Sequence, residues 1–217
     1  MTLDVTAPAR PRTMRLRADA SRNRERIVNA ACEAIVEYGP DVPLDEVARR
    51  AGVGNATLYR HFSDRGELIR QVALAVMRRI TQRAEALAEE PDPFGALERF
   101  VFQAAEERVG ALCPMVSDTF DGHDPEVAQA TESLQRATTA LMTRAQDAGQ
   151  LRTDVAVGDL MVALTQLTRP LPGVCAIGFD RFVQRHLQLF LDGLRAPARS
   201  TLEGTAATLE DLKGCHK

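Results

Sequence analysis

Tryptophan is absent from this 217-residue chain and aromatic residues make up only 5% of it, which argues against an aromatic-rich β-sandwich. No apolar run approaches the roughly 20 residues that a bilayer span needs. The opening stretch, MTLDVTAPARPRTMRLRADASRNR, lacks the apolar segment of a secretory signal, so the expectation is a cytoplasmic chain that does not touch a membrane. The four cysteines, Cys32, Cys113, Cys175 and Cys215, form no C-x-x-C pair. They read as free thiols, with neither zinc nor disulfide spacing. The four histidines are equally dispersed. Lysine is nearly missing: of 27 basic residues only Lys213 and Lys217 are lysines. Because the arginines occur in every segment, that bias reads as codon composition rather than function.

What is present is ordinary globular composition, with 45% hydrophobic and 26% charged residues. The length suits one or two domains. The net charge of −3 hides an asymmetry. Residues 1–27 carry seven arginines against Asp4, Asp19 and Glu25, a net of +4, whereas residues 91–217 carry 12 basic and 17 acidic residues, a net of −5. A basic arm on an acidic body points to a polyanion contacted at one end, although a solvated tail would give the same pattern.

Residues 1–20 are rich in Pro and Arg and aperiodic, and are expected to be a flexible basic arm. From Ser21 the pattern turns helical, with Ile27, Ala30, Ala31, Ala34, Ile35 and Tyr38 on one stripe that Gly39-Pro40 ends. A short helix from about Pro43 carries Leu44, Val47, Ala48 and Ala51 inward and ends at Gly52. Another short helix covers about 55–62. Ser63-Asp64 can cap a long fourth helix bearing Leu68, Ile69, Val72, Val76, Ile80 and Leu87. Beyond Pro91 and Pro93 every recognisable period remains helical. Its stripes are Phe94, Leu97, Phe100, Val101, Ala104 and Ala105; Val127, Leu134, Thr138, Leu141, Met142 and Ala145; Leu160, Met161, Leu164 and Leu167; and Phe179 through Leu194. No run alternates with period two, so the fold class is all-α. Residues 196–217 read as a loose polar tail.

Three short-spaced helices with Gly52 at a tight turn have helix-turn-helix dimensions. The second helix must brace the third so that the third protrudes into a major groove, and Ala48 and Gly52 keep their crossing small. Val53, Leu58 and Phe62 would pack inward, leaving Asn55, Ala56, Tyr59, Arg60 and His61 for phosphates and base edges. Each has a blander reading, as a helix cap or a solvated side chain, but the constellation is hard to obtain by accident.

At these residues the sequence resembles the TetR (tetracycline repressor) family. The resemblance rests on Leu44 to Phe62, LDEVARRAGVGNATLYRHF, followed by SDRGEL to Leu68, and covers about residues 21–70. It implies an N-terminal DNA-binding unit, residues 21–66, and a helical effector-binding and dimerisation domain, residues 67–195. It also implies that Thr57, Tyr59, His61 and Arg65 contact phosphates, while Asn55, Ala56 and Arg60 face base edges. Arg22, Arg24 and Arg26 would touch the flanking backbone. Gly54 and Pro43 depart from the Ser or Thr common at those caps, at small expected cost to folding.

The same resemblance implies a homodimer on a double-stranded palindromic operator and a small-molecule effector. Phe179, Phe182, Val183, Phe190 and Leu194 are the expected dimer surface, unless they fill the protomer core. Phe102, Met115, Phe120, Leu141, Met142, Met161 and Thr165 are candidate pocket residues, although Met and Phe at helical spacing commonly serve as core. Asp121-Gly-His123-Asp124 fits a turn before Pro125 better than a metal site. No cofactor is indicated. The leading expectation is a homodimeric repressor released by a ligand, and not an enzyme, since no nucleophile–base pair or metal set is visible. Two alternatives stay open: a regulator without a small ligand, controlled by a protein or acting as an activator, and a ligand carrier or enzyme with a vestigial DNA module.

Overall fold

The computed structural model describes residues 12–39, 41–107, 110, 124–169, 179–208 and 211. Eight α-helices run through these residues, and the only β-pairing among them is one antiparallel bridge between Leu151 and Arg195. The fold is all-α. The chain divides into two compact units, with the division between Leu68 and Ile69.

In the first unit, α1 (Arg12–Tyr38) begins ahead of Ser21, so the basic arm is helical from Arg12. Apolar periodicity could not show this, because the added residues carry no apolar stripe in sequence, although several are good helix formers. Ile27, Ala31 and Ala34 are fully buried and Ala30 and Ile35 nearly so, whereas Tyr38 is 57% exposed and leaves the expected stripe. Its ring lies under the Arg50 guanidinium at 5.6 Å. Gly39, at φ +86°, ends the helix by donating its N–H to the Ile35 carbonyl.

Helix α2 (Leu44–Ala51) buries Val47, Ala48 and Ala51. Asp45 and Glu46 in its first turn and Arg49 and Arg50 in its last complement the helix dipole. Gly52 closes it in the left-handed conformation, at φ +64°, which a residue with a Cβ enters only with strain. The Arg26 side chain from α1 completes the cap, donating to the Ala51 carbonyl at 2.5 Å and the Gly52 carbonyl at 3.3 Å. Helix α3 (Asn55–His61) follows at once, with Leu58 and the adjoining Phe62 buried against this unit's core. Full burial of two such side chains contributes about 1.5–3 kcal/mol each. Asp64 then caps α4 (Arg65–Ala86) by accepting from the Glu67 N–H at 2.8 Å.

In the second unit, α5 (Pro93–Glu106), α6 (Pro125–Asp147), α7 (Val157–Leu167) and α8 (Phe179–Leu194) surround one core. Phe94, Leu97, Phe100, Val101, Leu141, Leu151, Leu160, Leu164, Leu187 and Leu191 are among its buried residues. Pro125 opens α6 behind Asp124, whose carboxylate accepts from the backbone N–H groups of Glu126 and Val127. The motif around Asp124 is therefore a helix cap, and its members 121–123 lie outside the described residues. Ala105 and Val127 are only half-buried.

The stretch after Leu194 is not loose throughout. Arg152, with 6% of its side chain exposed, donates to both carboxylate oxygens of Asp154 and to the carbonyls of Gly193 and Ser200. The Ala207 N–H donates to Asp159 at 3.2 Å. A Cβ at Gly158 would collide with the Ala207 carbonyl, so that glycine makes room for the chain to cross α7.

Candidate nucleic-acid interface

Helix α3 is short, and its sequence sorts cleanly by face. Leu58 is 1% exposed and Phe62 fully buried, while Asn55, Ala56, Tyr59 and Arg60 are exposed, Tyr59 at 53%. Thr57, His61 and Arg65 are half-buried at the margin. The structure thus brings an amide, a methyl, a phenol and a guanidinium together on the exposed side of one helix. Seven residues at about 1.5 Å each span about 10 Å, which suits a major groove roughly 12 Å wide.

The cap of α3 is bare. Gly54 sits there in extended backbone and has no side chain to offer, so its carbonyl alone accepts from Thr57 and Leu58. Stability comes from behind the helix. Arg24 reaches from α1, donates to the His61 carbonyl at 3.0 Å, meets the Glu67 carboxylate at 3.5 Å and stacks 4.7 Å over the Phe62 ring. The Arg24 guanidinium, 37% exposed, is thus engaged within the unit, beside the phosphate role that the resemblance implies for it. Arg26, although exposed, likewise donates to the α2 cap. The sequence showed three arginines on one helix but not which way they turn. Arg22 is exposed and, among the described residues, pairs with Asp19 on its own helix.

His61 is a partial departure. Its Nε2 is buried without a partner, so a phosphate contact would have to run through Nδ1. Burial, and then the positive charges of Arg60 and Arg24, hold the imidazole below its ordinary pKa. Both effects favour the neutral imidazole. On the exposed side, the Asn55 side-chain amide donates to the Asp45 carboxylate on α2 at 2.7 Å. That contact was not anticipated, since residues ten apart in different helices carry no local signal.

In the second unit two of the expected pocket residues, among those described, border cavities, and different ones. Phe102 lines an open groove of about 890 Å³ with Thr168, Arg181, Val183, Arg185 and Leu189. Met142 borders a separate hollow of about 220 Å³ beside Gln146 and Val155. Leu141 is core, Met161 and Thr165 are half-buried on α7, and Met115 and Phe120 lie outside the described residues. Of the expected dimer surface, Val183 and Leu194 are buried within the protomer, Phe190 is half-buried and Phe182 is 57% exposed. The Phe179 side chain lies outside the description. Leu189 and Val162, at 58% and 42% exposure, are the apolar side chains that reasoning from helical stripes missed.

Ion pairs between distant segments were equally invisible. Arg70 on α4 makes a two-pronged pair with Asp124, and Glu126 joins both Arg70 and Arg78. Glu107, 10% exposed, receives Arg79 at 2.7 Å and Arg83 at 2.6 Å. Among the described residues no group of three or more His, Cys, Asp or Glu could hold a metal ion, and no helix is long and apolar enough to cross a membrane.

Residues 27–72 match the family model of bacterial regulatory proteins, tetR family, and residues 92–196 match the C-terminal domain of SbtR-like transcriptional regulators. The structure of a TetR transcription regulatory protein from Mycobacterium vanbaalenii is 34% identical, covers 83% of this chain and 99% of its own, and superimposes with a TM-score of 0.59. That of a TetR transcriptional regulator from Streptomyces coelicolor is 30% identical, covers 81% and 99%, and has a TM-score of 0.60. Among curated proteins, the HTH-type transcriptional regulator TtgW of Pseudomonas putida is 43% identical over 56 residues. That stretch is 25% of this chain and 42% of TtgW, so the chain spans less than half the length of this curated relative.

Proposed function

The chain belongs to the TetR family of transcriptional regulators, and from that membership we propose that it acts in the cytoplasm as a homodimeric repressor, released from a palindromic operator by a small molecule. The observation that carries the DNA half of this reading is the sorting of α3. Leu58 and Phe62 anchor it while Asn55, Ala56, Tyr59 and Arg60 project together. Arg60 and Asn55 would read base edges and Ala56 would offer its methyl to thymine, while Thr57, Tyr59 and Arg65 fix the register on phosphates. Arg22 would reach the flanking backbone.

Two-fold reading of DNA requires a self-complementary surface. Exposed Phe182 and Leu189 on α8 and Val162 on α7 supply apolar area that the protomer leaves uncovered. An effector would act by preferring a conformer whose two reading heads are wrongly spaced for the operator, and could shift the equilibrium only by its differential affinity for the two conformers.

The test is footprinting on fragments of the gene's own neighbourhood across a salt series. A protected palindrome with steep salt dependence supports a dimeric operator-binding regulator. No binding even at low salt would overturn the reading.

A further inference from the structure

We propose that Asp45 acts as a positioning residue for base recognition, fixing the side-chain amide of Asn55 so that it presents an adenine-reading edge. This rests on the proposed base-reading role of α3. Asn55 is the first residue of α3 and Asp45 lies in the first turn of α2, and both are exposed. Their backbones are held by buried neighbours, Val47 and Ala48 behind Asp45 and Leu58 behind Asn55. The Asn55 Nδ2 donates to Asp45 Oδ1 at 2.7 Å.

An asparagine amide can normally turn over, exchanging its oxygen and nitrogen at little cost. Here it cannot. An ionised carboxylate only accepts hydrogen bonds, so the NH₂ group must face Asp45 and Oδ1 must face away. One amide hydrogen is committed to Asp45, and the other remains beside Oδ1. A donor next to an acceptor on one planar group matches the N7 acceptor and N6 donor of adenine in the major groove.

The charge of Asp45 is directed at this amide. Its neighbour Glu46 is occupied by Arg49 at 2.6 Å and Arg50 at 3.7 Å, whereas among the described residues Asp45 has no ion pair. An unneutralised carboxylate on a surface that approaches phosphates weakens sequence-independent binding. Asp45 therefore has two separable effects: it sharpens the choice of base and lowers affinity for arbitrary DNA. A contact that merely stapled α3 to α2, in place of the missing side chain at Gly54, would share the charge effect but would not alter the choice of base at one position.

The experiment is selection from a random duplex library with the full-length protein, comparing wild type with Asn55→Ala, Asp45→Ala, Asp45→Asn and the double alanine variant, with thermal melting of each. Asn55→Ala should erase an adenine preference at one symmetric pair of positions. Asp45→Ala should reduce that same preference by about tenfold, and should raise affinity for unrelated duplex at low salt. Asp45→Asn loses the charge and, because its amide donates as well as accepts, no longer dictates which way Asn55 turns, so it should lose part of the preference while sharing the gain in unspecific affinity. The double variant should match Asn55→Ala in its base preference.

Full retention of the preference in Asp45→Ala overturns the proposal while leaving Asn55 as a reader. A lowered melting temperature with equal weakening on all sequences overturns it in favour of a staple. If Asn55→Ala changes no position, the assignment of Asn55 to bases fails and takes this inference with it. If wild type itself selects no motif, the DNA-reading assignment is what has failed.

Discussion

The Arg24 guanidinium stacks 4.7 Å over the Phe62 ring while donating to the His61 carbonyl, joining α1 to the end of the reading helix. Both contacts form inside the first unit and engage the cation there. Arg24→Ala should therefore cost about 1–2 kcal/mol of stability, from a partly desolvated cation–π contact and a charged hydrogen bond. Binding should weaken by a similar factor on every sequence, with an unchanged dependence on salt. A thermal melt together with a salt titration checks this. A slope lowered by about one unit would return Arg24 to the phosphate class.

Arg65 and Arg60 should behave differently from Arg24 and from each other. Arg65→Ala should flatten the salt slope by roughly one unit per half-site, as the loss of a phosphate contact does. Tyr59→Phe should weaken binding on all operators without that change of slope. Arg60→Ala should relax preference at one symmetric pair of positions, because a bidentate guanine contact is worth about 1–3 kcal/mol of discrimination. Uniform weakening by Arg60→Ala across a panel of operators would reassign it to phosphate.

Much of this first unit could be read in advance, for a physical reason. The helices α2 and α3 are short and bounded by glycine, and their apolar residues have one place to go, so Val47, Ala48, Leu58 and Phe62 are buried as periodicity requires. The start of α1 was illegible because Arg12 to Ala20 carry no apolar stripe in sequence to mark a helix. The fates of Arg24 and Arg26 were also hidden, since an arginine suits a phosphate, a ring face and a helix cap alike. In the second unit the stripes located the helices but not their neighbours. Val183 and Phe182 are adjacent in sequence and equally apolar, yet one is buried and the other exposed. The Arg152 hub and the pairing of Arg70 with Asp124 join segments whose proximity only the tertiary fold creates.

That last pairing makes acid stability testable. The Arg70 guanidinium, with help from the α6 backbone N–H groups, lowers the pKa of Asp124 to about 2. A carboxyl depressed in the folded state stabilises it above the unfolded pKa, and that contribution is lost as pH falls through the folded value. Asp124 should therefore contribute at neutral pH and stop contributing progressively between roughly pH 5 and pH 2. Asp124→Asn preserves the helix cap, which asparagine serves well, and removes the charge together with one of the two oxygens that accept from Arg70. Melting temperature against pH should fall less steeply in Asp124→Asn than in wild type across that window. Asp64 and Asp154 are also held low, so both proteins retain an acid limb, and the difference between them isolates Asp124. Parallel curves would show that the Arg70 pair contributes nothing to stability.

Phe182 and Leu187 separate association from folding. Leu187 is fully buried within the protomer, whereas Phe182 on the same helix is 57% exposed. Leu187→Ala should cost about 2–5 kcal/mol of protomer stability, the usual range for a buried leucine truncated to alanine. Phe182→Glu removes nothing from that core. It places a charge within the proposed two-fold surface, where two copies would meet across the axis and repel. Sedimentation velocity over a concentration series should show Phe182→Glu shifted towards monomer, with its helical content at 20 °C, roughly ambient temperature, unchanged. Operator affinity should fall with it, since one reading head makes half the contacts. A Phe182→Glu protein that sediments as wild type does would move the interface elsewhere, leaving Val162 and Leu189 to be tested the same way.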